Sequence, residues 1–337
     1  MRCWLFRKPN ILKTLAFPLA LLAGAGLAFS HKSAGSDVFT SNGIPSSRAP
    51  EGSTREDSSH IRVTADLVQI PVTVTNNRDQ VISDLDRNSF SVYENGIEQT
   101  IVHFGLEEAP VSACFLFDSS NSMTGKLRDA VEAVNQILDT AISEDEYCLV
   151  RFSSWPEVMV SLTSNTGRVA AAMRRIDAAG WTALLDAVYL GMQEVRHGRN
   201  QHKAIILISD GGDNRSRHSE GAIKELVREA DVQIYSIGVE TSYSPAYVER
   251  EIDGPALMKN ISQQSGGRLY RIHEITALPG AIAKINMALR HQYVLGYYPK
   301  EAHNDGQYRR VTIKLVRPKG SPSLRAYWRS GYYAPKQ

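Results

Sequence analysis

Val111-Ser112-Ala113-Cys114-Phe115-Leu116-Phe117-Asp118-Ser119-Ser120-Asn121-Ser122 is the stretch whose reading decides the fold. Val111 to Phe117 is a nearly continuous apolar run, the pattern of a strand buried on both faces. Asp118, Ser120 and Ser122 then alternate, so a loop leaving that strand aims three oxygen-bearing side chains at one point. A hard divalent cation needs such donors: Mg²⁺ takes about six oxygens in near-octahedral array, several of them from water. Asp, Ser and Asn are also ordinary turn residues. What favours a metal-binding loop is that matching pieces recur further along the chain.

Thr182 lies in Gly180-Trp181-Thr182-Ala183-Leu184, just before a predicted helix, and Asp210 ends the apolar run Ala204-Ile205-Ile206-Leu207-Ile208-Ser209 and precedes Gly211-Gly212. Three loops can therefore meet at one cation. With these fragments in this order the chain resembles the von Willebrand factor type A domain and its metal-ion-dependent adhesion site, Asp-x-Ser-x-Ser followed by a later Thr and a later Asp. The matching residues are Asp118, Ser120, Ser122, Thr182 and Asp210, with Asn121 standing where many relatives carry Gly. The resemblance implies that Ser120, Ser122 and Thr182 bind Mg²⁺ (or Mn²⁺) directly and that Asp118 and Asp210 often act through water. It also implies that the open coordination position takes a carboxylate from a protein partner. Relatives couple such capture to a shift of the last helix, here about residues 276 to 290.

Around these loops helical and strand periodicities alternate. Helices are predicted over 126–142, 169–176, 183–197, 219–230, 255–265 and 276–290, and strands over 147–152, 157–162, 203–209, 232–239 and 268–272. The fold class is α/β, a doubly wound, mostly parallel sheet with 157–162 as an antiparallel edge strand. A strand order 3-2-1-4-5-6 would place Asp118 and Asp210 on the two sides of the crevice where the order reverses.

The flanks are all-β. In residues 61–107, runs containing Val63, Leu67, Ile70, Val72 and Val74 precede a hairpin in which Asn95-Gly96 joins 90–94 to 97–104. Pro71 inside the first run suggests an edge strand or a bulge. Residues 292–337 add strand candidates at 293–298, 308–316 and 324–333, rich in Tyr and Val. The N-terminal segment is too short to bury a stable core alone, so both segments are expected to pack into one β-sandwich with the type A domain, 108–291, inserted between them. These flanks, with Val92-Tyr93-Glu94-Asn95-Gly96 and Gly331-Tyr332-Tyr333-Ala334-Pro335, resemble the exported bacterial VWFA-related proteins.

At 337 residues and 42% hydrophobic content, the chain suits two domains better than one. Arg2, Arg7, Lys8 and Lys13 precede an apolar stretch, Leu15 to Phe29, so residues 1–30 read as a signal segment, with an uncleaved membrane anchor as the other reading. Residues 31–60, rich in Ser, Gly, Pro and charge, read as a disordered linker. The expected location is exported: periplasm, cell surface or extracellular. Four of the 38 Lys and Arg lie in the signal segment, leaving 34 against 36 Asp and Glu, so nucleic acid is not an expected partner. Cys114 and Cys148 read as two buried thiols, with a disulfide between neighbouring strands left open. No CxxC or Cys/His cluster indicates zinc.

The leading functional expectation is a binding module that captures an acidic group of a protein partner through the metal. Trp155, Trp181, Arg215 and Arg217 would contribute specificity if exposed, although core or loop packing is the default reading of the tryptophans. The alternatives are a metal-independent envelope scaffold and, less favoured, a Mg²⁺-dependent phosphoryl-transfer enzyme. Ser120 stands where haloacid-dehalogenase-like phosphatases carry a second Asp, and no nucleophile elbow, phosphate loop or His-Glu-x-x-His is present.

Overall fold

The computed structural model describes residues 66–210, 212–239, 254–301, 304–316 and 323–336; the expected signal segment and linker, residues 1–60, lie outside these. In chain order the elements begin with β1 (Val68–Asn76), β2 (Phe90–Glu94), β3 (Ile97–Gln99), β4 (Ile101–Glu108), β5 (Val111–Asp118), α1 (Leu127–Asp139), β6 (Glu146–Phe152) and β7 (Pro156–Thr163). They continue with α2 (Thr166–Met173), α3 (Leu184–Arg196), β8 (His202–Ser209), α4 (Glu220–Glu229), β9 (Gln233–Val239), α5 (Gly254–Ser265) and β10 (Leu269–Ile272). Last come α6 (Leu278–Arg290), β11 (His291–Tyr297), β12 (Tyr308–Leu315), β13 (Leu324–Trp328) and β14 (Gly331–Tyr333).

β5 is buried along its whole length because both its faces are covered. Ala113, Phe115 and Phe117 point into a core shared with α1, α2 and α6, whereas Cys114 and Leu116 point into a second core shared with α3, α4 and α5. The sheet order is β10-β9-β8-β5-β6-β7, parallel throughout except for the antiparallel edge strand β7. This is the doubly wound arrangement with its order reversing at β5 and β8. Their carboxyl ends carry Asp118 and the residue after Ser209. α2 starts earlier than the apolar pattern predicts because Asn165 caps it, its side chain accepting from the Arg168 N–H at 3.0 Å.

The expectation of two free thiols is corrected. Cys114 and Cys148 face each other across β5 and β6 with Cα atoms 4.5 Å apart, and they are joined as a disulfide.

The flanking segments interleave. One four-stranded sheet has the order β13-β1-β11-β4 and the other β14-β12-β2-β3, so each contains strands from both ends of the chain. Ile70, Val72, Val92, Leu295, Val311 and Ile313 fill the space between them. Pro71 is not on an edge strand: β1 lies between β11 and β13. Its pairing with β13 begins only at Val72, however, so Pro71 sits where β1 has a neighbour on one side only. Asn95 and Gly96, at φ 48° and 89°, form the predicted hairpin turn. The runs 97–104 and 324–333 each divide in two, because β3 and β14 belong to one sheet while β4 and β13 belong to the other.

The α/β core and the sandwich touch directly. The Ser330 N–H donates to the Gln264 carbonyl at 3.1 Å. Gly266, at φ +88°, ends α5 with its Cα so close to Arg329 that a Cβ would stand 2.6 Å from the Arg329 nitrogen.

Candidate metal centre

β5 delivers Asp118 with no solvent exposure. Its Oδ1 accepts from the Ser120 N–H at 2.8 Å and its Oδ2 from the Ser209 hydroxyl at 2.5 Å. Among the described residues no cationic side chain pairs with it. Burial pushes the Asp118 carboxyl up to about 6, against the pull of these hydrogen bonds and with a small contribution from Asp210 in the same direction.

The loop beyond Asp118 makes a short 3-10 turn, Asn121–Met123. It brings the Ser120 and Ser122 hydroxyl oxygens to 2.9 Å, and the Ser122 hydroxyl donates to Asp210 Oδ1 at 2.6 Å. The Lys126 ammonium contacts the other Asp210 oxygen. Thr182 is buried and held to the same rim through its backbone. Its N–H donates to Asn214 Oδ1 at 2.9 Å, and its carbonyl accepts from the Asn214 and Arg215 N–H groups, each at 3.1 Å. Its hydroxyl is not joined to the Ser120–Ser122–Asp210 chain. Two backbone bonds lace the first loop to the second, Ala179 N–H to the Ser119 carbonyl at 2.8 Å and Asn121 N–H to the Gly180 carbonyl at 3.1 Å.

Four of the five expected residues are thus linked through side chains or through Ser209 beside them, and the fifth is positioned by backbone. Sequence reading missed Ser209, Lys126 and Asp213. Lys126 lies four residues beyond Ser122, just ahead of α1, and Ser209 directly precedes Asp210, so each carried a weak positional signal. Asp213 accepts from the Leu185 N–H at 2.9 Å, fixing the start of α3 and with it the loop that carries Thr182. Gly211 lies outside the described residues.

The donor set, two carboxylates and three hydroxyls, suits a hard cation. Neighbouring ligands of an octahedral Mg²⁺ at ~2.1 Å stand ~3 Å apart, close to the oxygen separations along Ser120, Ser122 and Asp210. A buried carboxylate lacking a cationic partner is a second feature that a bound cation would compensate. Trp155 and Trp181 are 67% and 57% exposed, which corrects the reading of both as packing residues, and Arg215 and Arg217 are exposed as well.

Residues 114–212 match the family model described as von Willebrand factor type A domain. Among curated proteins, the chain is 30% identical over 204 residues to inter-alpha-trypsin inhibitor heavy chain H2 of Sus scrofa, covering 53% of this chain and 22% of that one. It is 26% identical over 201 residues to heavy chain H4 of Bos taurus, covering 54% and 20%. The chain therefore spans about a fifth of the length of these relatives. A solved structure of proximal thread matrix protein 1 from the mussel byssus, described as having a zinc-occupied MIDAS motif, aligns with TM-score 0.47 at 18% identity over 58% of this chain and 49% of that one.

Proposed function

We propose, from the premise that this chain carries a von Willebrand factor type A domain, that it is an exported binding module whose divalent cation captures an acidic group of a protein partner. Asp118, Ser120, Ser122, Thr182 and Asp210 would hold Mg²⁺ or Mn²⁺. The cation supplies a strong, directional attraction for a carboxylate. The single observation that carries this reading is the convergence of the Ser120, Ser122 and Asp210 oxygens beside the buried, cation-free Asp118 carboxylate. The chain's own contribution is rigidity: the three loops are laced by backbone bonds before any ligand arrives, so little ordering remains to be done on binding. Asp118 has no exposure, which disfavours its use as a phosphoryl-accepting nucleophile.

The test compares thermal melts of the protein and its Asp118→Ala variant in EDTA and in millimolar Mg²⁺ or Mn²⁺. A cation at about 100 times its dissociation constant stabilises by about 2.7 kcal/mol. A rise confined to the unsubstituted protein is expected. Equal melting in EDTA and in metal would put the metal-independent scaffold in its place.

A further inference from the structure

We infer that Trp155 and Trp181 form a fixed aromatic platform beside the metal centre that selects acidic protein segments carrying a bulky apolar side chain next to the carboxylate. The inference rests on the metal-dependent reading above and adds the partner's second recognition element.

The two indoles are among the most exposed large apolar side chains of the described residues. Such side chains, exposed singly, need no explanation, but the backbone segments that carry these two are tied to each other. The Trp181 N–H donates to the Ser154 hydroxyl at 3.0 Å, the Ala183 N–H to the Ser153 carbonyl at 2.7 Å, and the Ser153 N–H to the Trp155 carbonyl at 3.3 Å. The turn between β6 and β7 is thereby tied to the loop before α3. Gly180 makes this approach possible: at φ +86° it adopts a backbone that side chains disfavour, and a Cβ there would lie 2.6 Å from the Ser154 hydroxyl. The same Gly180 accepts from Asn121, so the platform and the metal loop share one backbone anchor.

The positive side of the rim is built in the same way. Arg215 donates its N–H to the Thr182 carbonyl, and Arg217 donates its own to both Asp186 carboxylate oxygens, at 3.0 and 3.1 Å. A cation centre flanked by two exposed guanidinium groups and two exposed indoles complements an anionic segment with an apolar neighbour. Trp and Arg are also the residue types that carry most binding energy in protein interfaces. An indole turns about only two side-chain torsions, so ordering it above a tied backbone costs little entropy.

The test selects a random peptide library displayed on phage against the full protein in Mg²⁺ and in EDTA, then measures one selected peptide against Trp155→Ala and Trp181→Ala. Peptides enriched only in Mg²⁺, with Asp or Glu beside an aromatic or aliphatic residue, are expected. Each substitution should weaken such a peptide roughly tenfold or more, leaving the melting temperature and its rise in Mg²⁺ unchanged. Enrichment of acidic peptides with no apolar neighbour, or equal binding by the tryptophan variants, would overturn the platform and leave the metal reading standing. No Mg²⁺-dependent enrichment would overturn the platform together with the carboxylate capture on which it depends.

Discussion

In the metal-free protein Asp118 is a charged group held in a place that favours its neutral form. Its carboxyl is lifted from the ordinary 3.8 to about 6 by burial, so the folded state binds the proton more tightly than the unfolded chain does. Below the unfolded value both states are protonated and Asp118 costs nothing. As pH rises through the window between about 4 and 6 the cost appears, and above it the ionised carboxylate destabilises the fold by roughly 2–3 kcal/mol. In EDTA, therefore, Asp118→Asn should be more stable than the unsubstituted protein at pH 7 by about that amount, and the advantage should vanish towards pH 4. Its amide keeps an acceptor for the Ser120 N–H and can turn its nitrogen towards Ser209. Denaturant unfolding of both proteins across this range measures the difference, and a gap independent of pH would show that Asp118 is not the titrating group. Metal binding requires the ionised form, so the stabilisation by Mg²⁺ should shrink as pH falls through 6.

Two elements carry constraints that local patterns express only in part. The disulfide closes a segment with a sequence separation of 34 between β5 and β6. In the chain-entropy account a crosslink of that span stabilises by about 3–4 kcal/mol, so Cys114→Ala with Cys148→Ala should lose a comparable amount in denaturant unfolding, and adding reductant should then change nothing further. Gly180→Ala should cost about 1–3 kcal/mol for its left-handed backbone and should also reduce the Mg²⁺-dependent rise in melting temperature, because the Asn121 N–H bond to the Gly180 carbonyl is lost or displaced. These contrasts explain what sequence could reveal. β5, β8 and the helices around them were legible because burial on both strand faces and one helix face writes a period into the chain, and the Asp-x-Ser-x-Ser spacing writes the first loop. The Cys114–Cys148 pairing was not legible, since it depends on the register of β5 against β6. Nor was the break at Thr100, where the chain leaves one sheet for the other without a turn signal; the second break, at Arg329-Ser330, did carry one in Ser330-Gly331. The exposure of Trp155 and Trp181 follows from loop lacing between distant segments, which no local pattern encodes.

At the scale of the whole molecule, α6 runs without a break into β11, which lies between β1 and β4 in the sandwich. The last helix of the α/β core is therefore also the lead into the strand that both N-terminal neighbours need. Arg268 fastens the two parts from the other side. It is 9% exposed, lies between the Tyr270 and Tyr327 rings at 4.4 and 4.7 Å, and pairs with Asp79 at 2.5 Å. Arg268→Ala removes that pairing together with both ring contacts and should destabilise by about 2–4 kcal/mol, measured by denaturant unfolding. The interleaved sheets make a stronger demand. Without residues 291–337, β1 and β4 lose the strand between them, and β2 and β3 are left as an isolated hairpin, which is at best marginally stable in water. A chain ending at Arg290 should then keep its six-stranded sheet, whose strands all lie between Val111 and Ile272, but become open to protease from residue 66 to the start of β5. Limited proteolysis followed by mass measurement should leave a fragment beginning near Val111. If residues 66–108 stayed protected in the shortened chain, the N-terminal strands would have to form a folded unit of their own, and the shared sandwich would not be what holds them.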